Sequence, residues 1–213
     1  MGNRYRIAVA CVLLVCLASF ATTASATSMR QSSIVDMLEK AEEIVVGKVV
    51  SMTDGFDNDG FPYTEITLEL DEELVNGRSD SGTYTFRQFG LMAPRQMPDG
   101  RTNLNVTPEG FPTFAMGEKV VAFIYKAARV TGFQTTVGLF QGKFTVEDGQ
   151  VFNAVSNQGL FNDVSVRGDR LDEQQQKMLQ MPQGSVSEDV FLPFLRAAVS
   201  ERWVDEGVLF DAQ

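Results

Sequence analysis

The chain reads as mainly β: a five- or six-stranded antiparallel sheet closed into a small barrel and flanked by N- and C-terminal helices. Three observations predict this. Residues 63–71 alternate, with Thr64, Ile66, Leu68 and Leu70 on one side and Tyr63, Glu65, Thr67, Glu69 and Asp71 on the other. That is the period of a half-buried strand. Residues 44–50 and 119–126 are apolar on both sides and rich in β-branched side chains, which places them centrally in a sheet. Near the C-terminus, Phe191, Phe194, Leu195, Ala198 and Val199 recur at helical spacing. A β-sandwich satisfies the same strand count and is the alternative.

Residues 1–26 read as a secretory signal. Arg4 and Arg6 precede an apolar run over 7–20, and Ala24-Ser25-Ala26 supplies a small-residue cleavage site. The run is shorter than the ~20 residues that a membrane-spanning helix needs. Val15 before Cys16 argues against lipid attachment there, and too little apolar sequence precedes Cys11. Both cysteines leave with the leader, and the chain has no histidine. Residues 27–213 are expected to form a single domain, with the barrel over about 43–155 and a C-terminal helical extension over about 171–203. No later segment is apolar enough to span a bilayer, so the expected location is periplasmic or secreted. A secreted domain without disulfides rests on its core alone and suits a bacterial source.

Taken in order, Ser33 and Asp36 have capping-box spacing ahead of a helix carrying Ile34, Met37, Leu38 and Ala41 on one face. The strand over 44–50 follows, with Gly47 permitting a bend. A turn cluster at 54–60 leads to the alternating strand, which ends at Asn76-Gly77 and the polar residues 79–82. Residues 83–89 form a third strand with Tyr84 and Phe86 on one face. An irregular excursion then runs over 90–118 and contains Pro94, Pro98, Pro108 and Pro112. Connections this long usually carry function or fold locally. Residues 119–126 form the fourth strand and about 135–146 the fifth. Asp148-Gly149 makes a tight hairpin to a sixth strand at 151–155. Residues 172–181 read as a polar helix. Ser185 and Glu188 form a second capping-box pattern before the last helix, whose Pro193 is expected within its first turn. Trp203 extends the apolar stripe. A longest connection between the third and fourth strands fits a barrel of the oligosaccharide/oligonucleotide-binding (OB) type.

Four segments carry a resemblance: residues 41–49 (AEEIVVGKV), 63–68 (YTEITL), 114–120 (FAMGEKV) and 138–144 (GLFQGKF). Together they resemble an uncharacterised group of secreted bacterial proteins, some of which accompany secreted metalloprotease-like domains. The scheme also resembles the netrin-like fold of metalloprotease inhibitors, over about residues 33–155. The resemblance implies a barrel flanked by helices and a protease-associated or inhibitor-like role. Netrin-like inhibitors chelate the target's zinc through an N-terminal cysteine, and residues 27–213 contain none.

Composition excludes several chemistries. Without histidine or a mature cysteine, Ser-His-Asp and Cys-His catalysis are impossible within the chain, and thiolate zinc sites are absent. No glycine-rich phosphate loop or nucleophile-elbow pattern is present, and no cofactor is expected. The formal charge is −10, and it becomes −12 once Arg4 and Arg6 leave with the signal. So acidic a surface repels phosphate backbones, so nucleic acid is not an expected partner. The expected function is a non-enzymatic binding or interaction module whose partner is another secreted or periplasmic protein. The alternative is a carboxylate-dependent hydrolase, or an ion- or glycan-binding protein. Within the excursion, Met92, Arg95, Met97, Arg101, Phe111 and Phe114 combine the apolar and cationic groups that interfaces favour. Phe111 and Phe114 serve equally well as plugs for a barrel end. No metal is expected. Asp57 and Asp59 are the alternative, as a loose calcium site, although the EF-hand spacing fails because Gly55 and Ile66 occupy positions that require acids. Gly138 and Gly142 are read as curvature or a bulge, with close ligand approach as the sharper alternative.

Overall fold

The computed structural model describes residues 30–74 and 82–212. The expected signal over 1–26 and most of the turn at 76–82 lie outside the described residues. Ser33 caps helix α1 (Ile34–Lys40), its hydroxyl accepting the Asp36 N–H at 3.1 Å. Ile34 and Met37 are fully buried along the expected face. The chain then enters β1 (Glu43–Phe56), which turns at Asp57–Gly60 into β2 (Pro62–Glu73), followed by β3 (Thr83–Phe89). The excursion carries its own small hairpin, β4 (Arg95–Gln96) with β5 (Thr102–Asn103). Next come β6 (Lys119–Ile124), β7 (Lys143–Glu147) and β8 (Gln150–Asn153). The C-terminal part contains β9 (Val164–Val166), helix α2 (Glu173–Leu179), β10 (Val186–Ser187), helix α3 (Glu188–Ser200) and β11 (Leu209–Asp211).

Seven strands make one antiparallel sheet in the order β10-β8-β7-β6-β1-β2-β3. The molecule is therefore mainly β with helices before and after the main strands. β1 is long because it pairs with β2 along most of its length while its first half also pairs with β6. Register shifts at Val46/Gly47 and Val49/Ser51 bend it, as bulges do. The sequence pattern of β1 and β6 follows from their place in the fold. Ile44, Val46, Val121 and Phe123 face a core built with α1 and α3, where Phe191, Phe194 and Leu195 pack. The alternate residues Val45, Val49, Val120, Ala122 and Ile124 face a second core with Ile66, Leu68 and Phe86. A strand buried on both faces loses its polar alternation. β2 keeps its alternation because only its Thr64, Ile66 and Leu68 side is buried.

Several expectations are corrected. The fifth strand begins at Lys143, not near 135. Residues 139–142 form a single 3-10 turn, entered through Gly138 at φ +66°. A Cβ at Gly142 would collide with the Val137 carbonyl oxygen, so this glycine serves close backbone packing within the turn. Ser185 does not begin a capping box. Val186–Ser187 instead pairs with Val151 and Gln150 as β10, and Ser187 is the N-cap of α3 without a side-chain hydrogen bond. Pro193 is the sixth residue of α3, in its second turn, and it is exposed. The capping box that is present belongs to α2, where Asp172 and Gln175 exchange bonds. The β7–β8 hairpin forms as expected, with Asp148 at φ +50° and Gly149 at φ +72°. Residues 31–213 form one compact unit. Among the described residues no helix is long and apolar enough to cross a membrane.

Candidate functional site

The excursion is pinned at its base, along one side and at its end. At the base, Leu91 is fully buried and bridges Val106, donating to Asn105 O and accepting from Thr107 N–H, each at 2.9 Å. Along the side, Asp54 at the far end of β1 accepts the Met92 N–H at 2.8 Å and pairs with the Arg95 guanidinium. Arg95 also lies over the Phe56 ring, 5.9 Å from its centroid. At the end, the Glu118 carboxylate accepts the Ala115 N–H at 3.1 Å and the Thr145 hydroxyl at 2.6 Å, and pairs with the Lys143 ammonium. These contacts hold the turn that drives Phe114 inward. Phe114 is 9% exposed, meets Phe86 edge-on at 5.6 Å, and has the Lys143 ammonium 5.7 Å from its ring centroid. Burial of that ring is worth about 2–3 kcal/mol.

Pinned in this way, the excursion builds a groove of about 580 Å³ against the sheet, within the size range of ligand-binding clefts. Its buried walls are Thr64, Gln88, Leu91, Pro112 and Phe114, and its exposed rim includes Met92, Ala93, Pro94 and Thr113. No lining residue is charged. Gln88 lies on the inward face of β3, two residues beyond Phe86, and is 3% exposed. Its Nε2 donates to Pro112 O at 3.2 Å, while its Oε1 is buried with no hydrogen-bond partner among the described residues. The Thr64 hydroxyl donates to Gly90 O at 2.7 Å, and that of Thr107 to Leu91 O at 3.4 Å. The polar atoms of this groove are therefore left mainly as acceptors.

The six residues singled out from the sequence disperse. Met92 and Phe114 meet in this groove. Phe111 lines a second groove of about 390 Å³ with Phe140 and Lys143, which shares Pro112 and Thr113 with the first. Met97 and Arg101 lie at the tip of the β4–β5 hairpin, beside a shallow hollow. There Arg101 donates to Asp99 at 2.7 Å, which holds the Asp99 carboxyl below the usual carboxylate range. Arg95 serves the anchor on Asp54. Asp57 stabilises its own turn, one carboxylate oxygen accepting the N–H groups of Asp59 at 3.0 Å and Phe61 at 2.8 Å, while Asp59 is exposed. Among the described residues no three acids, histidines or cysteines cluster as a metal site would require. Sequence reasoning missed Met52, Thr64 and Gln88 as walls of the groove. The available signal was the period of β3, which puts a polar Gln88 on the same side as Tyr84 and Phe86. No protein-family model, no curated protein and no solved structure matches the chain.

Proposed function

We propose that the chain is a secreted, non-enzymatic binding module of the periplasm or extracellular space that recognises another protein through the excursion at 90–118. One observation carries this reading: an acidic chain builds from that excursion an uncharged, largely apolar groove with Met92 at its rim and Phe114 at its base. Apolar patches rimmed by polar surface mark interaction sites, and methionine walls adapt to the group they receive. The finer architecture we propose is an OB/netrin-like barrel. Closure is supported by the segment after β6, where Thr136 bridges Ile124 and the Gln134 N–H donates to Arg87 O on β3 at 2.7 Å. The protease-associated form of the reading rests on the resemblance of residues 33–155. It predicts stoichiometric inhibition of a secreted metalloprotease by contacts of the excursion, since the mature chain has no cysteine to offer zinc.

The test is a paired capture. Mature protein and its Met92→Asp/Arg101→Asp variant, altered only at exposed positions, are immobilised and exposed to periplasmic and secreted fractions of the source cells. The expected result is a protein retained by the unmodified chain and reduced at least about tenfold on the variant, a loss of the size that hot-spot changes produce. Equal retention by both would overturn the reading.

A further inference from the structure

We infer that the Met92 thioether is a reversible oxidation site, and that its conversion to the sulfoxide by an oxidant of the peroxide class switches off recognition by the groove. The inference rests on the binding-module reading and adds its regulation. Three observations carry it. First, sulfur chemistry in the mature chain belongs to methionine alone, because residues 27–213 contain no cysteine. Second, the methionines differ in access. Met92 is 50% exposed and Met116 61%, whereas Met37 is 0% and Met178 2% exposed. Third, the two exposed methionines serve different surfaces. Met92 lines the 580 Å³ groove together with half-buried Met52, and Met116 does not line it.

Susceptibility of sulfur to oxidation follows its exposure. In the reaction the Met92 sulfur attacks one oxygen of hydrogen peroxide. An S–O bond forms as the O–O bond breaks, and the hydroxide that leaves takes the proton of the transferred oxygen and departs as water. Sulfur gives up two electrons and peroxide gains them. The product places a polar acceptor oxygen on the rim of a groove whose lining holds no charge. The groove hydroxyls of Thr64 and Thr107 already donate to Gly90 O and Leu91 O, so neither is free to meet it. A partner that covers the rim then buries that oxygen without a donor, which weakens binding. The backbone beneath the side chain is held independently. The Met92 N–H donates to Asp54 Oδ2 at 2.8 Å, and Leu91 beside it is fully buried. Oxidation therefore alters the surface of the rim and not the seating of the excursion.

The test begins without a partner. Mature protein is treated with graded hydrogen peroxide, and oxygen uptake at each methionine is followed by peptide mass spectrometry. Met92 is expected to oxidise at least about tenfold faster than Met37 and Met178, with the thermal unfolding midpoint unchanged. Each sample is then immobilised and exposed to the periplasmic and secreted fractions of the source cells. Retention is expected to fall in step with Met92 sulfoxide across the peroxide series, by at least about tenfold at completion, the loss that one buried polar group without a partner produces. Methionine sulfoxide reductases supplied with a dithiol are expected to restore it. The ratio of retention before and after oxidation assigns the effect: Met116→Leu is expected to leave that ratio as it is in the unmodified protein, and Met92→Leu to bring it to one. Oxidation of Met92 no faster than of the buried methionines would overturn the switch. So would retention that survives complete Met92 oxidation while the Met92→Asp/Arg101→Asp variant loses it, a result that leaves the recognition reading in place. Retention indifferent to both oxidation and the charged variant removes the recognition reading, and the switch with it.

Discussion

Lys119 shows how single side chains tie the layers together. Its ammonium lies 2.7 Å from Glu188 at the start of α3 and 3.3 Å from Asp71 at the end of β2, so one group joins three elements. Its hydrogen bond to Glu188 is the main reason that its pKa lies above the ordinary lysine value. A raised folded-state value makes the contribution complete below the unfolded value and removes it as pH rises through the folded one. The side chain is 37% exposed, so solvent screening holds the contribution to about 0.5 kcal/mol. In thermal unfolding, the advantage of the unmodified protein over Lys119→Met is expected to be constant through neutral pH and to shrink in the alkaline range. An advantage that grows with alkalinity would contradict this assignment. Gln88 illustrates the opposite case. A period-two pattern shows that it points inward, but no local pattern shows that the Pro112 carbonyl, 24 residues later, takes its Nε2 and leaves its Oε1 unpaired.

Among the elements, the excursion is the one whose order depends most on a few contacts. Gly90 is the hinge of its base. It adopts φ +105°, and a Cβ there would collide with the backbone of Thr107. A side chain at this position therefore meets both strain and a backbone clash. Gly90→Ala is expected to cost about 2–4 kcal/mol in urea unfolding. Faster amide exchange at Leu91 and Thr107 is expected to accompany it, while the β7–β8 hairpin stays protected. Unchanged stability would show that the excursion is not seated as described. Element type was most legible where one residue period ran undisturbed, as in β2 and α3, and where turn chemistry was specific, as at Asp148-Gly149. It was least legible where two periods compete. Residues 135–142 are rich enough in apolar and β-branched side chains to read as strand, yet Gly138 and Leu139 both take positive φ and turn the chain into a 3-10 segment. At 185–188 the capping pattern is local, whereas pairing of Val186 with Val151 is a long-range gain that wins. The short strands β9 and β11 pair with each other, through Val166 with Leu209 and Val164 with Asp211, and neither carries a pattern long enough to read.

At the scale of the whole fold, the seven-stranded sheet carries a separate core on each face, and the excursion closes one of them. Helices α1 and α3 cover one side, and Phe114 seals the other next to Phe86. The mainly β class and the helices before and after the main strands followed from composition and period. The groove did not, because Met52, Gln88, Met92 and Phe114 come from two strands and a loop that only the folded chain brings together. The sheet positions the excursion, and the excursion supplies the uncharged groove wall that we propose meets a partner. The most direct test of that division places a photo-crosslinking residue either at Met92, on the groove rim, or at Val130, which is 85% exposed in the connection after β6 and does not line the groove. Both proteins are irradiated in the periplasmic and secreted fractions of the source cells. The account predicts one discrete adduct from position 92 and none from position 130. An adduct formed at position 130 but not at position 92 would contradict it.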